Sequence, residues 1–172
     1  MRARGNFLAS AAALLLAGCA GYHLGPVSPG ARVGGENSIE VLPFNNQTLQ
    51  PRLGDAVTQA LRERLQADGT YQLATHGGGD IVVTGVITRY NREGLSYLNT
   101  DVATVENYRV GVIAHVTARE RSTGKLLFDK DVTGYTLVHV GSDLASAERQ
   151  SLPLLAEDLA RNTVELLTEG AW

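Results

Sequence analysis

The chain has 172 residues, of which 44% are hydrophobic and only 6% aromatic, so aliphatic side chains must fill the core of one domain. Its net charge is −3, and without Arg2 and Arg4, which lie in the first 18 residues, 13 basic residues face 18 acidic ones, a net charge of −5. This balance excludes general nucleic-acid binding, which favours a basic face. Cys19 is the one cysteine, which excludes an intramolecular disulfide.

The N-terminal segment combines a basic start, an apolar run over residues 7–16 and the tetrapeptide Leu-Ala-Gly-Cys at 16–19. The run is shorter than the roughly 20 apolar residues of a membrane span and is typical of an export signal. The tetrapeptide is typical of a bacterial lipobox, in which the cysteine thiolate accepts a diacylglyceryl group. We therefore predict a signal peptide over residues 1–18 and lipid attachment at Cys19. Two or more acyl chains at this residue would anchor the protein stably in the membrane.

The segment after Cys19 is rich in glycine, proline and serine. This composition disfavours regular structure and predicts a flexible tether over residues 19–37, followed by a folded domain over 38–172. Ala20 stands where an aspartate would favour retention in the inner membrane, so the outer membrane is the predicted location, with the domain on its periplasmic side or within the lumen of a membrane barrel.

The first half of the domain is predicted to contain a strand and a helix. Residues 38–44 alternate as in a strand, and the polar residues 45–48 interrupt it. Residues 51–67 predict a helix that ends at Asp68-Gly69. Its apolar stripe consists of Leu53, Val57, Leu61 and Leu65.

The second half is predicted to be mainly β. Residues 71–74 form a possible short strand, residues 80–90 a strand, and residues 91–104 a polar excursion. Residues 108–119 alternate between an apolar face and a mostly polar face that includes His115, as in an antiparallel sheet covered on one side. A turn at 121–125, with Gly124 free to adopt positive φ, leads into a returning strand over 126–138.

The C-terminal segment predicts a long helix over residues 144–167, with N-cap residues available at 141–143. Pro153 is expected to kink this helix or divide it. The order of elements predicts an α+β, two-layer sandwich: a mainly antiparallel or mixed four-stranded sheet with two helices on one face.

Residue patterns for catalysis or metal binding are absent from the sequence. The histidines, His23, His76, His115 and His139, are scattered and show no metal-site spacing. No nucleophile motif occurs, and the triple glycine at 77–79 lacks the Lys-Ser/Thr of a phosphate loop. We therefore expect a protein that is not an enzyme and that uses neither a metal nor a cofactor.

The mature chain resembles the LptE family of lipopolysaccharide-assembly lipoproteins in the order and spacing of several segments. It starts with Gly-Tyr-His-Leu after Cys19 and continues with the strand Ile-Glu-Val-Leu-Pro-Phe at 39–44. The other segments of resemblance are residues 45–48, 57–61, 79–87, 108–110, 122–127, 155–161 and 170–172. A similar strand and helix also occur in activators of penicillin-binding proteins and in the CsgG family, so an envelope lipoprotein of either type is the alternative.

The resemblance implies an outer-membrane lipoprotein that assembles with a large barrel of the LptD type, plugs it, and contacts lipopolysaccharide during its insertion at the cell surface. Lipid A phosphates would require arginine or lysine despite the acidic total. Two basic clusters are candidates for this contact: the hairpin cluster of Arg119, Arg121 and Lys125, and the strand-end cluster of Arg89 and Arg92. Solubilising charge at strand ends is the other interpretation of both clusters.

Overall fold

The computed structural model describes residues 38–98, 101–139 and 143–169, which form the predicted α+β fold. The strands and helices follow the order β1 (Ser38–Val41), β2 (Asn45–Asn46), α1 (Leu53–Asp68), β3 (Gln72–Leu73), β4 (Ile81–Leu98), β5 (Asp101–Glu120), β6 (Leu126–His139) and α2 (Leu144–Thr168). Within the described residues the sheet has six strands, so the predicted count of four is wrong. The possible short strand at 71–74 is confirmed as β3, whereas β2 has only two residues, which is too short for an alternating pattern to define a strand.

The strand order across the sheet is β3-β1-β4-β5-β6, and β2 also pairs with β4. β1 is parallel to both β3 and β4, since α1 carries the chain back between β1 and β3. β4, β5 and β6 are antiparallel neighbours. The sheet is therefore mixed, with its antiparallel part formed by the three longest strands.

The first predicted strand is interrupted near Pro43. β1 ends at Val41, and the chain rejoins the same neighbour as β2, where Asn45 pairs with Val86 of β4. Between them, Phe44 packs on Gly85, where an added Cβ would lie 2.1 Å from the ring. The predicted interruption at 45–48 is thus wrong for its first two residues, because Phe44 returns the chain to the sheet.

The predicted polar excursion at 91–104 is instead an arm of paired strand. β4 and β5 continue their ladder to the pair Leu98–Asp101, with several register shifts along the way. Backbone hydrogen bonds hold such a ladder whatever the side chains, so a polar sequence does not prevent it. Apolar alternation in a sequence indicates a strand that is buried on one face. Residues 91–93 are exposed, so their sequence lacks this alternation although they are paired as a strand.

β5 has the two faces that its alternation predicts. Its even-numbered residues between 110 and 118 are buried in the core shared with the helices. Its odd-numbered residues between 109 and 119 are exposed or half-buried. Gly124 has a φ of 71° in the following turn, as predicted.

The two helices cover one face of the sheet. The predicted stripe of α1 is buried, and Gly69, with φ 75°, ends the helix as expected. α2 begins at the predicted cap: the Asp143 carboxylate accepts hydrogen bonds from the backbone N–H groups of Ala145 and Ser146 at 3.1 and 3.0 Å. These bonds and the one from the Ser146 hydroxyl, which contributes most, lower the pKa of Asp143.

α2 runs through Pro153 as one helix, so the predicted division is not observed. Pro153 lies on the exposed side, where water can reach the backbone carbonyl that a proline leaves without its helical partner. Neither α1 nor α2, the helices in the described residues, is long and apolar enough to cross a membrane.

Candidate interaction surfaces

The face of the sheet opposite the helices is open within the described part of the chain. It is mostly polar, as predicted, but Tyr135 and Leu137 of β6 keep 58% and 62% of their surface exposed. The register places them beside Gly111 and Arg109 of β5. The Arg109 guanidinium lies 5.6 Å from the centre of the Tyr135 ring, within the range of a cation–π contact.

His115 lies on this open face, as predicted. Its two ring nitrogens lie 2.8 Å from the carboxylates of Asp129 and Asp131. The hydrogen bond to Asp131 contributes most to raising the pKa of His115, and the charge of Asp129 adds to it. Both nitrogens carry a proton only in the charged ring, so this arrangement favours imidazolium. In the described ranges no group of three or more His, Cys, Asp or Glu side chains is arranged to hold a metal ion.

The hairpin cluster contains one residue that is engaged in the fold. Arg121 donates from Nε to the Gly79 carbonyl at 2.7 Å, and its Nη2 pairs with the Glu40 carboxylate. Its backbone N–H also donates to the Asp80 carbonyl at 2.7 Å. Arg121 therefore ties the β5–β6 hairpin to β1 and to the loop before β4, while its side chain keeps 47% of its surface exposed.

Arg119 and Lys125 are exposed at the same hairpin. Arg119 makes one long hydrogen bond, 3.4 Å, to the carbonyl of Gly124. The structure thus brings the three residues of the hairpin cluster into one region, where Arg121 is paired with a carboxylate and, among the described residues, Arg119 and Lys125 are not.

The strand-end cluster is divided by a register shift in β4 between Ile87 and Arg89. Arg89 pairs with Ile113 on the open face, whereas Arg92 pairs with Val110 of the buried face. Both nevertheless line one depression at the margin of β4, with residues 47–50, Thr88 and Tyr90.

A buried carboxylate holds Arg92, which the sequence did not predict. Arg92 Nη1 lies 3.2 Å from Glu148 Oε1 of α2, and Glu148 is only 8% exposed. The nearby Tyr90 hydroxyl is buried and has no hydrogen-bond partner among the described residues, and burial, aided by the charge of Glu148, raises the pKa of Tyr90 to about 12. No local sequence pattern identifies Glu148 as the partner of Arg92, because charged residues are common along an amphipathic helix.

The outer edge of β6 is covered by side chains of α2, which the sequence also did not predict. The Tyr135 backbone N–H donates to Asp158 Oδ2 at 2.9 Å, and Asn162 Nδ2 donates to the Thr133 carbonyl at 2.8 Å. At Gly134 between them, an added Cβ would lie 2.7 Å from the backbone nitrogen of Leu159. We call residues 133–135 with their α2 partners the covered edge.

The predicted signal peptide, the lipid-attachment residue Cys19 and the tether over 19–37 lie outside the described residues. They remain predictions from the sequence.

A family model described as LptE, lipopolysaccharide-assembly, matches residues 37–167. The match supports the resemblance described above over the alternative of a penicillin-binding-protein activator or a CsgG-like protein. No protein among those with curated descriptions matches the chain.

Solved structures with a similar fold include a hypothetical protein from Chlamydia trachomatis, with a TM-score of 0.57 and 12% identity over 78% of this chain and 97% of that one. A protein from Xanthomonas campestris has a TM-score of 0.55 and 11% identity over 77% and 85% of the two chains. A minor lipoprotein from Acinetobacter baumannii has a TM-score of 0.51 and 14% identity over 77% and 93%. At these identities the similarity concerns the fold alone.

Proposed function

The chain belongs to the LptE family of lipopolysaccharide-assembly proteins, and from this premise we propose that it is an outer-membrane lipoprotein that assembles with a barrel of the LptD type, plugs it, and helps insert lipopolysaccharide at the cell surface. The observation that carries the proposal is the family match over residues 37–167, which include every described strand and nearly all of α2. The protein is expected to act by binding and not by catalysis.

The open face of the sheet supports the role of a plug. Barrel lumens are polar, and a mostly polar face that carries Arg109, His115 and Arg119 suits such surroundings. The partly apolar patch of Tyr135 and Leu137 would supply the aromatic and aliphatic contact that protein interfaces favour.

Acylated Cys19 would hold the domain at the membrane and so raise its effective concentration near the barrel. Replacing Cys19 by serine should abolish incorporation of labelled palmitate and release the protein from the membrane fraction. Continued sedimentation with outer membranes, together with retained label, would contradict attachment at this residue.

Accessible cations would supply the contact with lipid A phosphates. Arg119 and Lys125 are the better candidates in the hairpin cluster, since Arg121 is engaged with Glu40 and Gly79. Arg89 and Arg92 form the second candidate pair, in which Arg92 is half exposed and paired with Glu148. Charge reversal of Arg119 and Lys125 together should weaken lipopolysaccharide binding about tenfold, in line with the loss of charge-assisted bonds. Reversal of Arg64, an exposed residue of α1, is the matched control.

The first experiment on the whole proposal is purification through a C-terminal tag from outer membranes solubilised in mild detergent. A large barrel recovered at near-equal stoichiometry is the expected result. A penicillin-binding protein, or a homo-oligomeric pore without a barrel, would contradict the proposal and favour the alternative function.

A further inference from the structure

We propose that the outer edge of β4 over residues 88–95, here called the open edge, binds an extended acidic segment of a protein partner as an added strand. The inference rests on the proposed function only in its first assay, which uses the barrel as the partner.

The backbone of the open edge is available for pairing. Lower on β4, the carbonyls of Val83 and Ile87 accept hydrogen bonds from Leu42 and Gln47, both at 3.0 Å. After the register shift at Ile87/Arg89, the backbone groups of alternate residues, Tyr90, Arg92 and Gly94, continue this outward row. No hydrogen bond from the described residues reaches that row, so a strand of about five residues could add there.

A rigid loop beside the open edge presents an exposed leucine. Asn46 Oδ1 accepts hydrogen bonds from the backbone N–H and hydroxyl of Thr48 at 3.0 and 2.7 Å, and Asn46 Nδ2 donates to the Gln50 carbonyl at 2.8 Å. Leu49, between these anchored residues, is fully exposed. An apolar side chain held in solvent by an ordered loop, next to unpaired strand edge, is suited to contact a docked segment.

The charge of the depression beside the open edge favours an acidic segment as the bound partner. Its lining includes two cations, Arg89 and Arg92; Arg92 is paired with the buried Glu148, so Arg89, which has no ion-pair partner among the described residues, supplies the uncompensated positive charge. An acidic side chain on the docked strand would therefore be attracted.

The first test uses co-purification of the barrel with full-length variants. Arg92→Pro removes both the outward N–H and the charge, whereas Arg92→Gln removes the charge and keeps the N–H, which the ladder with β5 does not use. Both variants leave the buried Glu148 without its cation, so the comparison between them isolates the N–H. We expect barrel recovery at least tenfold lower for Arg92→Pro than for Arg92→Gln. Leu49→Asp should lower it by a similar factor, while Leu154→Asp, at an exposed position of α2, should leave it unchanged. Far-ultraviolet circular dichroism checks that each variant folds.

Recovery that is equal for Leu49→Asp and wild type would overturn the inference even if Arg92→Pro failed to fold. If wild type recovers no barrel, the proposed function fails, and a second test still decides the inference. A photo-crosslinking amino acid replaces Leu49 in whole cells, and the adduct is mapped by mass spectrometry. The expected adduct is one protein segment that contains an acidic residue. An adduct with lipopolysaccharide or with a second copy of this chain, or no adduct, would overturn it.

Discussion

The outer edge of β6 and the edge of β4 beyond its pairing with β2 differ in how their backbone groups are satisfied. At the covered edge, Asp158 and Asn162 of α2 bond the outward backbone groups of Tyr135 and Thr133 of β6, and the helix backbone approaches Gly134. At the open edge of β4, the described residues supply no such partners. Unpaired strand edges invite pairing with other chains, so proteins usually protect them.

This difference indicates that the covered edge serves the stability of the fold and that the open edge is a candidate binding site. The covered edge satisfies backbone groups within the chain, so it contributes to stability and keeps β6 from pairing with another copy. The open edge gains its hydrogen bonds only from a partner. Changes at the covered edge should therefore alter folding, and changes at the open edge should alter binding.

The largest effect is expected for Gly134→Val. Its Cβ would lie 2.7 Å from the Leu159 nitrogen and 2.8 Å from the Leu159 Cα, both backbone atoms that cannot move without shifting α2. We expect a loss of about 3 kcal/mol in the free energy of unfolding, measured by urea titration. Thr133→Val, at the exposed neighbouring position, serves as the control. A Gly134→Val chain as stable as wild type would contradict the close approach of α2.

Asp158→Ala should have the next largest effect, a loss of about 1–3 kcal/mol, because the Tyr135 backbone N–H at the covered edge loses a charged acceptor. The carboxylate also pairs with Arg161, and its side chain is only 13% exposed. Size-exclusion chromatography should reveal concentration-dependent association as the β6 edge opens. Glu157→Ala, on the exposed side of the same helix turn, should change neither stability nor size.

Arg121→Gln tests whether the hairpin belongs to the fold or to a binding surface. Loss of the pairing with Glu40 and of the hydrogen bond to Gly79 should cost about 1–2 kcal/mol. Lys125→Gln should change the free energy of unfolding by less than about 0.5 kcal/mol. If urea midpoints for the two variants coincide, Arg121 is a surface cation like its neighbour.

His115→Gln should have the smallest effect on stability, and this effect should be seen only at low pH. Asp131 and Asp129 raise the pKa of folded His115 above its ordinary 6.5. Protonated His115 therefore stabilises the fold fully below about pH 6.5, and the contribution disappears as the pH rises through the raised pKa. The variant should lower the urea midpoint at about pH 5.5 and leave it unchanged at about pH 9. Equal shifts at both values would rule out the proposed ionisation.

Burial, turn conformation and helix capping were predicted correctly where they depend on a short sequence pattern. The stripe Leu53, Val57, Leu61 and Leu65, the two faces of β5, Gly124 and the cap at Asp143 all depend on residues close in sequence. The candidate clusters were predicted only as sets of nearby cations. Their division into engaged and accessible members depends on Glu40 and Glu148, which lie far away along the chain.

Periodicity and short motifs are local, and they were enough to predict the fold class, the buried faces, the helix ends and the resemblance to a family whose model matches residues 37–167. That residues 91–98 continue β4, that Arg121 is paired, and that the outer edge of β6 is covered became clear only from the structure. Backbone pairing and long-range hydrogen bonds do not depend on side-chain pattern, so the spatial arrangement of distant segments establishes them.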